Sequence, residues 1–435
     1  MWRDITRLSV MLATLAITIS SVEAQDVWLE PGGELSQTVG ETTSKILADI
    51  LPVQGYMPQG MPPYGAPPYA QEGSDGALYQ RPIPDRPMWF SSQDPHQKEF
   101  RSFEGWFVRA EYLNWTFQRP GNVLVGAPIW DNLTNPDRPT NRTFNLGTDS
   151  DPILYTGFFK NPSLEPIGLN NANGARGTLG IPLTFGSLEA SVFGFHSVAS
   201  SFSAKPQEGT IRNPFYAVST YVDGVPGDIP TFFLFDAGFT ENYSSSLYGA
   251  ESNLIFDGIG PTTFFSIKPM AGVRYLCLSE ELAVQGATTD IGNSEPIHRG
   301  FISTSDNRMW MGQAGLRFQF DLPRFTFTFD PKYALGSNSF ANDVGTLNMA
   351  GSGKTWDKST NIANLVDLGM TGRIQLSEYF TFTAGYNFIW LGGVSRAGNN
   401  LQYNVNGTMP AVYVDSKKTD MTLQGFSVGG EITYR

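Results

Sequence analysis

At 435 residues, with a net charge of −12 and a mean hydropathy of −0.20, the chain has room for two ordinary domains or one large β domain with a tail. The acidic balance leaves nucleic-acid binding without an electrostatic footing. No stretch of the body approaches the roughly 18–20 continuous apolar residues of a spanning helix. Forty-six glycines and a 13% aromatic share favour strands and tight turns, and the single cysteine, Cys277, excludes an internal disulfide.

The chain opens with Arg3 and Arg7, an apolar run from Leu8 to Ile19, and the small-x-small pattern Val22-Glu23-Ala24 before Gln25. The run is too short and wrongly flanked for an anchor, so residues 1–24 read as a signal peptide and the mature chain as exported. Residues 25–101 carry no strand period, only one short amphipathic helix at Ser44–Leu51. The segment Gly55–Tyr69, built from Gly, Pro, Tyr, Met, Gln and Ala, cannot bury a core. This region reads as a disordered periplasmic tail or linker, with a plug inside the following domain as the alternative.

From residue 102 to the end the apolar pattern has period two. Expected strands are Phe103–Phe117, Gly174–Thr184, Leu188–Phe195, Ser246–Phe256, Thr263–Leu278, Asn307–Phe320, Arg324–Leu335, Asn364–Leu376, Phe380–Leu391 and Met421 to the C-terminus. The seventh is the clearest, with Phe325, Phe327, Phe329, Pro331, Tyr333 and Leu335 on one face and Arg324, Thr326, Thr328, Asp330, Lys332 and Ala334 on the other. Links after the even strands are short and links after the odd strands are long. Outer-membrane barrels have short periplasmic turns, long external loops and an even strand number. The expected fold is therefore all-β, a transmembrane antiparallel up-and-down β-barrel of ten strands over residues 102–435. It becomes twelve strands if Thr210–Tyr221 and Pro230–Phe239 add a hairpin. The ten steps from Phe380 to Trp390 measure about 33 Å, which a tilt of about 40° turns into the roughly 25 Å of a barrel's apolar band. Pro269 and Pro331 remove ladder donors and suggest bulges or different strand limits. A soluble sandwich or ligand-binding barrel also alternates, but has less use for so many interfacial aromatics.

Several short signatures occur in a fixed order: Gly174-Ala175-Arg176-Gly177-Thr178-Leu179-Gly180, Leu188-Glu189-Ala190-Ser191, Ala271-Gly272-Val273-Arg274-Tyr275-Leu276, and Gly312-Gln313-Ala314-Gly315-Leu316-Arg317. Lys332-Tyr333-Ala334-Leu335-Gly336, Gly385-Tyr386-Asn387-Phe388-Ile389-Trp390 and Arg396-Ala397-Gly398 follow, between the opening Phe107–Leu113 and the closing Gln424-Gly425-Phe426. Residues 102–435 thereby resemble the planctomycete putative beta-barrel porin family, the seventh in that naming series. The resemblance implies an outer-membrane barrel and supplies no catalytic or binding residues. One departure is Tyr434, an aromatic one place before the last residue rather than on it.

Chemistry-bearing motifs are weak. Gly351-Ser352-Gly353-Lys354-Thr355 has Asn348 where a phosphate loop needs glycine, and reads as a solvated external loop. His96, His196 and His298 lack ligand spacing, so no metal site or cofactor is expected. His196 beside Ser197 near an external rim keeps a rim hydrolase as a minor alternative, and Asp149-Ser150-Asp151 is a pair of aspartates of a kind common in loops. The informative set is the polar face: Arg109, Glu111, Arg176, Glu189, Lys268, Arg274, Arg317, Lys332, Asp367, Arg373 and Glu431 are the expected lumen-lining residues. Mixed signs in a narrow barrel can line a pore or pair into a plug, and ten strands lie nearer the eight of a filled barrel than the 16–18 of a water-filled porin. Two readings follow for a non-enzymatic protein of the bacterial outer membrane: a porin passing small solutes, or a plugged barrel acting through its long external loops. Its expected partners are outer-membrane lipid, the barrel-assembly machinery and, across a wide aromatic face, other copies of itself.

Overall fold

The computed structural model describes residues 105–126, 139–145, 154–219, 232–262, 264–289, 296–347, 355–403 and 412–434. The expected signal peptide and tail, His96, Asp149–Asp151 and the glycines near Lys354 lie outside them. In chain order the strands are β1 (Trp106–Phe117), β2 (Thr140–Asn145), β3 (Leu154–Lys160), β4 (Ala172–Leu183), β5 (Gly186–Phe195), β6 (Val198–Ala204), β7 (Phe215–Ser219), β8 (Phe232–Phe235) and β9 (Gly238–Phe256). They continue as β10 (Ile259–Thr262), β11 (Phe265–Thr288), β12 (Ile297–Asp321), β13 (Phe325–Leu347), β14 (Thr355–Gln375), β15 (Phe380–Ser395), β16 (Leu401–Tyr403), β17 (Val412–Val414) and β18 (Lys418–Tyr434).

Ten of these close a ring in the order β1-β4-β5-β9-β11-β12-β13-β14-β15-β18, every neighbour antiparallel, and β18 pairs back onto β1. Each corresponds to one strand expected from the sequence. The short strands β10 and β6 only add to β11 and β9 where a wall neighbour has ended. The extra hairpin does form, as β7 with β8, but it joins β2 and β3 in a separate four-stranded sheet. The wall therefore has ten strands, and the twelve-strand alternative is corrected. The two prolines mark neither a register shift nor a strand end. Pro269 stands one residue beyond the last β9–β11 pair, Met270 with Ile255, and Pro331 falls in a two-residue gap of the β12–β13 ladder. In both cases the missing donor falls where a ladder is interrupted.

The outward face explains where this ring sits. On β12 it is apolar from Trp310 through Leu316 to Phe320, and then becomes Arg308, Asp306 and Thr304. On β13 it runs from Phe325 to Tyr333 and Leu335, and then becomes Ser337 and Ser339. Cross-strand aromatic pairs cover the band, with ring centroids 4.8 Å apart for Phe265 and Phe320 and 4.7 Å for Tyr275 and Trp310. At the short-turn end Trp106 stacks on Tyr434 at 4.3 Å, directly opposite in register. An apolar belt with aromatic girdles on a closed, edge-free sheet is the arrangement that lipid permits. The fold is a transmembrane up-and-down β-barrel whose strands rise well past the external membrane surface.

Candidate functional site, the barrel interior

Because successive side chains point to opposite sides of a strand, the residues between the lipid-facing ones line the inside. Ion pairs between strands that are not neighbours show this directly. Arg317 of β12 holds Glu189 of β5 in a two-pronged contact, Nη1 to Oε1 at 2.7 Å and Nη2 to Oε2 at 3.0 Å. The same guanidinium donates from Nε and Nη2 to Asp330 on β13. Arg274 of β11 reaches Asp367 of β14 at 2.6 Å and also pairs with Glu251 of β9. Lys332 of β13 lies 3.0 Å from Asp367 and 3.3 Å from Glu251. Arg317–Glu189, Arg274–Asp367 and Lys332–Glu251 cross the lumen, while the other three contacts join neighbouring strands.

Two further pairs follow the register, as Arg274–Glu251 and Lys332–Asp367 also do. Arg109 opposes Glu431 and donates to it at 2.6 Å; Arg176 opposes Glu111 and donates from Nε at 2.7 Å and from Nη2 at 3.0 Å. Nine of the eleven charged residues expected to line the lumen are thus drawn into ion pairs, and Lys268 and Arg373 stand apart from them. The expected lumen set leaves out Glu251 and also Asp330, although the alternation already places the latter on the polar face of its strand. Both were readable, since Asp330 shares its face with Thr328 and Lys332, and Glu251 stands two residues from Asn253 on the same face of β9.

Above this charged layer the interior changes character. Leu113, Trp115 and Phe117 of β1, Leu276 and Leu278 of β11, Met309 and Met311 of β12, Leu365 of β14, Ile389 and Leu391 of β15, and Met421 and Leu423 of β18 are each no more than 3% exposed. They belong to one cluster with Leu164, Ile167 and Leu169 of the first long link and Ala397, Leu401 and Tyr403 beyond β15. Parts of two external links are folded into the mouth and packed like a protein core. The charged set read from the sequence thus describes only the lower part of the lumen: above the membrane water lies outside the wall, so the apolar face turns inward while Glu281 and Gln285 of β11 face out.

The end of β15 and the segment after it are fastened by inward Ser and Asn side chains. Ser303 and Ser305 donate to the carbonyls of Ala397 and Ser395 at 2.8 and 3.0 Å. Asn307 donates to the Ser395 carbonyl and accepts from the Ser395 amide, both at 2.8 Å, and Asn338 donates to the Gly393 carbonyl at 3.1 Å. Arg396 then clasps Glu280 of β11, with Nη2 to Oε1 at 2.8 Å and Nε at 3.1 Å from both carboxylate oxygens. Its other donors reach the carbonyls of Gln118 and Arg119, and Tyr243 donates to Glu280 Oε2 at 2.7 Å. Burial and the Glu280 charge hold the Tyr243 phenol well above its usual pKa, so it stays a donor.

Gly393 makes the bend into this segment at φ +78°, and a Cβ there would lie 2.6 Å from the Ile362 carbonyl oxygen. Gly393→Ala is expected to cost about 1–3 kcal/mol, read as a lower urea midpoint of the refolded barrel. His196 stands exposed between β5 and β6, its amide bonded to the Asn173 carbonyl. Cys277 is buried in β11 with a free thiol.

No curated protein matches this sequence. Among solved structures the chain is similar to the outer-membrane protease OmpT from Escherichia coli, at 9% identity over 77% of this chain and 98% of that one, with a TM-score of 0.41. It is similar also to a Pseudomonas aeruginosa FadL homologue, at 8% identity over 76% and 89%, with a TM-score of 0.21. The family model described as Putative beta barrel porin-7 matches residues 107–434, the whole ring from β1 to β18, and the chain belongs to that family.

Proposed function

We propose that this outer-membrane barrel is closed in its resting form and serves as a structural and surface-display element rather than an open diffusion pore. The observation that supports this most is the apolar storey at the barrel mouth, whose side chains are no more than 9% exposed and which includes residues of two external links. A water column cannot thread a layer packed to that degree. The described parts of the long links that stay outside the mouth, chiefly the sheet of β2, β3, β7 and β8, then form the working surface. The reading assigns the protein no catalysis and no cofactor. It takes residues 1–24 as the export signal, the assembly machinery and lipid as partners, and the outer face as a surface for self-association.

A second reading, passive passage of small solutes after the inward segment leaves, is favoured by one feature. Gly393–Asn400 is held largely by polar contacts, through Ser303, Ser305, Asn307, Asn338 and Glu280. Polar fastenings exchange with water at little net cost, about 0.5–1.5 kcal/mol per hydrogen bond. Conductance of the refolded chain in a planar bilayer separates the two, with heat-modifiable gel migration as the folding control. A folded barrel that gives no current steps is expected. Stable, discrete steps from the unmodified protein would move the assignment to a porin.

A further inference from the structure

We propose that the periplasmic part of the lumen binds a small oxyanion of the phosphate or sulfate type between Lys268 and Arg373. Lys268 of β11 stands directly opposite Arg317 of β12, and like charges opposed on one face of a sheet repel. None of the nearby carboxylates pairs with Lys268: Glu189 and Asp330 are held by the Arg317 fork, which offsets the repulsion only in part, and Glu431 is held by Arg109. Arg373 of β14 shares the same surroundings, close to Arg109, Arg317, Glu431 and Glu189, and it lies within electrostatic reach of Lys268. Among the described residues neither Lys268 nor Arg373 makes an ion pair.

A second observation concerns hydrogen bonding. The Arg373 Nε is buried without a partner, and so is the hydroxyl of Thr383, its direct register neighbour on β15. Buried donors of this kind are ordinarily satisfied. A tetrahedral oxyanion offers several acceptor oxygens at once, meets a guanidinium with matched geometry, and carries enough charge to neutralise two cations. Both cations are half-buried rather than sealed, so an ion has a route to them. Asp321 stands nearest in kind as an internal alternative, but it accepts from Gln319 at 2.8 Å and from Thr326 at 2.9 Å.

The test is thermal unfolding of the refolded full chain in detergent, with inorganic phosphate against sodium chloride at matched ionic strength, followed by calorimetric titration with phosphate. Binding to the folded state alone raises the melting temperature by mass action. The wild type is expected to show a saturable rise. Lys268→Met and Arg373→Gln should each weaken phosphate binding at least tenfold. Lys268→Met should also melt at or above the wild-type temperature without phosphate, because it removes a repulsion, so a folding defect cannot imitate the result. The proposal fails if wild type and both variants rise equally, the signature of a general salt effect. It fails also if phosphate and chloride act alike on the wild type.

Discussion

Arg396→Ala should lower the unfolding free energy of the refolded barrel by about 3–5 kcal/mol, the range for removing one partner of a buried ion pair. Arg396 is 3% exposed and Glu280 also 3%. Without the guanidinium, the Glu280 carboxylate keeps only the Tyr243 hydroxyl, and the carbonyls of Gln118 and Arg119 lose their donor. The loss reflects the charge left behind rather than the net value of the pair. Replacing both members by apolar residues, Glu280→Leu with Arg396→Met, should therefore recover much of it. Arg396→Lys should fall between, since a lysine has no fork to match the two carboxylate oxygens and reach the carbonyls as well. Urea unfolding in detergent micelles measures the series. A loss below about 1 kcal/mol for Arg396→Ala would mean that the loop rests on its apolar contacts and that the clasp is incidental. Loosening the clasp also bears on the closed state: if the segment after β15 is what occludes the mouth, the alanine variant should show intermittent current where the wild type shows none.

The ring of strands was legible because lipid imposes one rule along every spanning strand, and the rule survives translation into a two-residue period. Phe325 to Leu335 on β13 and Phe380 to Trp390 on β15 needed nothing beyond alternation. What alternation alone did not convey is which side is which once a strand leaves the bilayer. On β11, Val273 and Tyr275 face lipid while Arg274 faces in, yet a few residues later Leu278 and Leu282 face in while Glu281 faces water. The period is unchanged and its meaning has inverted, because the solvent outside the wall has changed from hydrocarbon to water. The same inversion is written in β12, where outward Trp310 gives way to Arg308 and Asp306. Such points locate the external membrane surface and could have predicted an apolar mouth. The lumen charges were readable by type and face, but their pairing was not. Arg317 meets Glu189 across 128 positions of sequence, and only closure of the ring brings them together. Arg396 and Glu280 were harder still, since one sits in a link with no period and the other on the external part of an inward face, between Leu278 and Leu282.

Raising the pH from 6 to 9 should destabilise the external part of the barrel, and Glu241 is the expected cause. Its carboxyl is fully buried on the inward face of β9, and neither oxygen has a hydrogen-bond partner. It opposes Val284 on β11 and Phe202 on β6, well beyond the apolar belt. The titratable groups in electrostatic reach of it are Lys160 of β3, Tyr216 of β7 and Tyr403 of β16. Burial pushes this carboxyl up to about 8 from an ordinary 4.5, against a smaller opposing pull from Lys160. The folded state therefore binds the proton more tightly than the unfolded chain does. Its contribution is fully present below about pH 4.5 and is lost as the pH rises through about 8. From pH 6 to about 8 only the folded state holds this proton, and each tenfold fall in proton activity there costs about 1.36 kcal/mol. The loss by pH 9 is therefore about 2–3 kcal/mol. Glu241→Gln removes the titration while keeping the size of the side chain. Any cost of its buried amide is the same at every pH, so the informative quantity is the gap between variant and wild type. That gap should move in the variant's favour by about 2–3 kcal/mol from pH 6 to pH 9, measured as urea midpoints in matched buffers. A gap that stays constant would show that Glu241 is already ionised at neutral pH, with water or a cation reaching it through the mouth, and would argue directly against a sealed barrel.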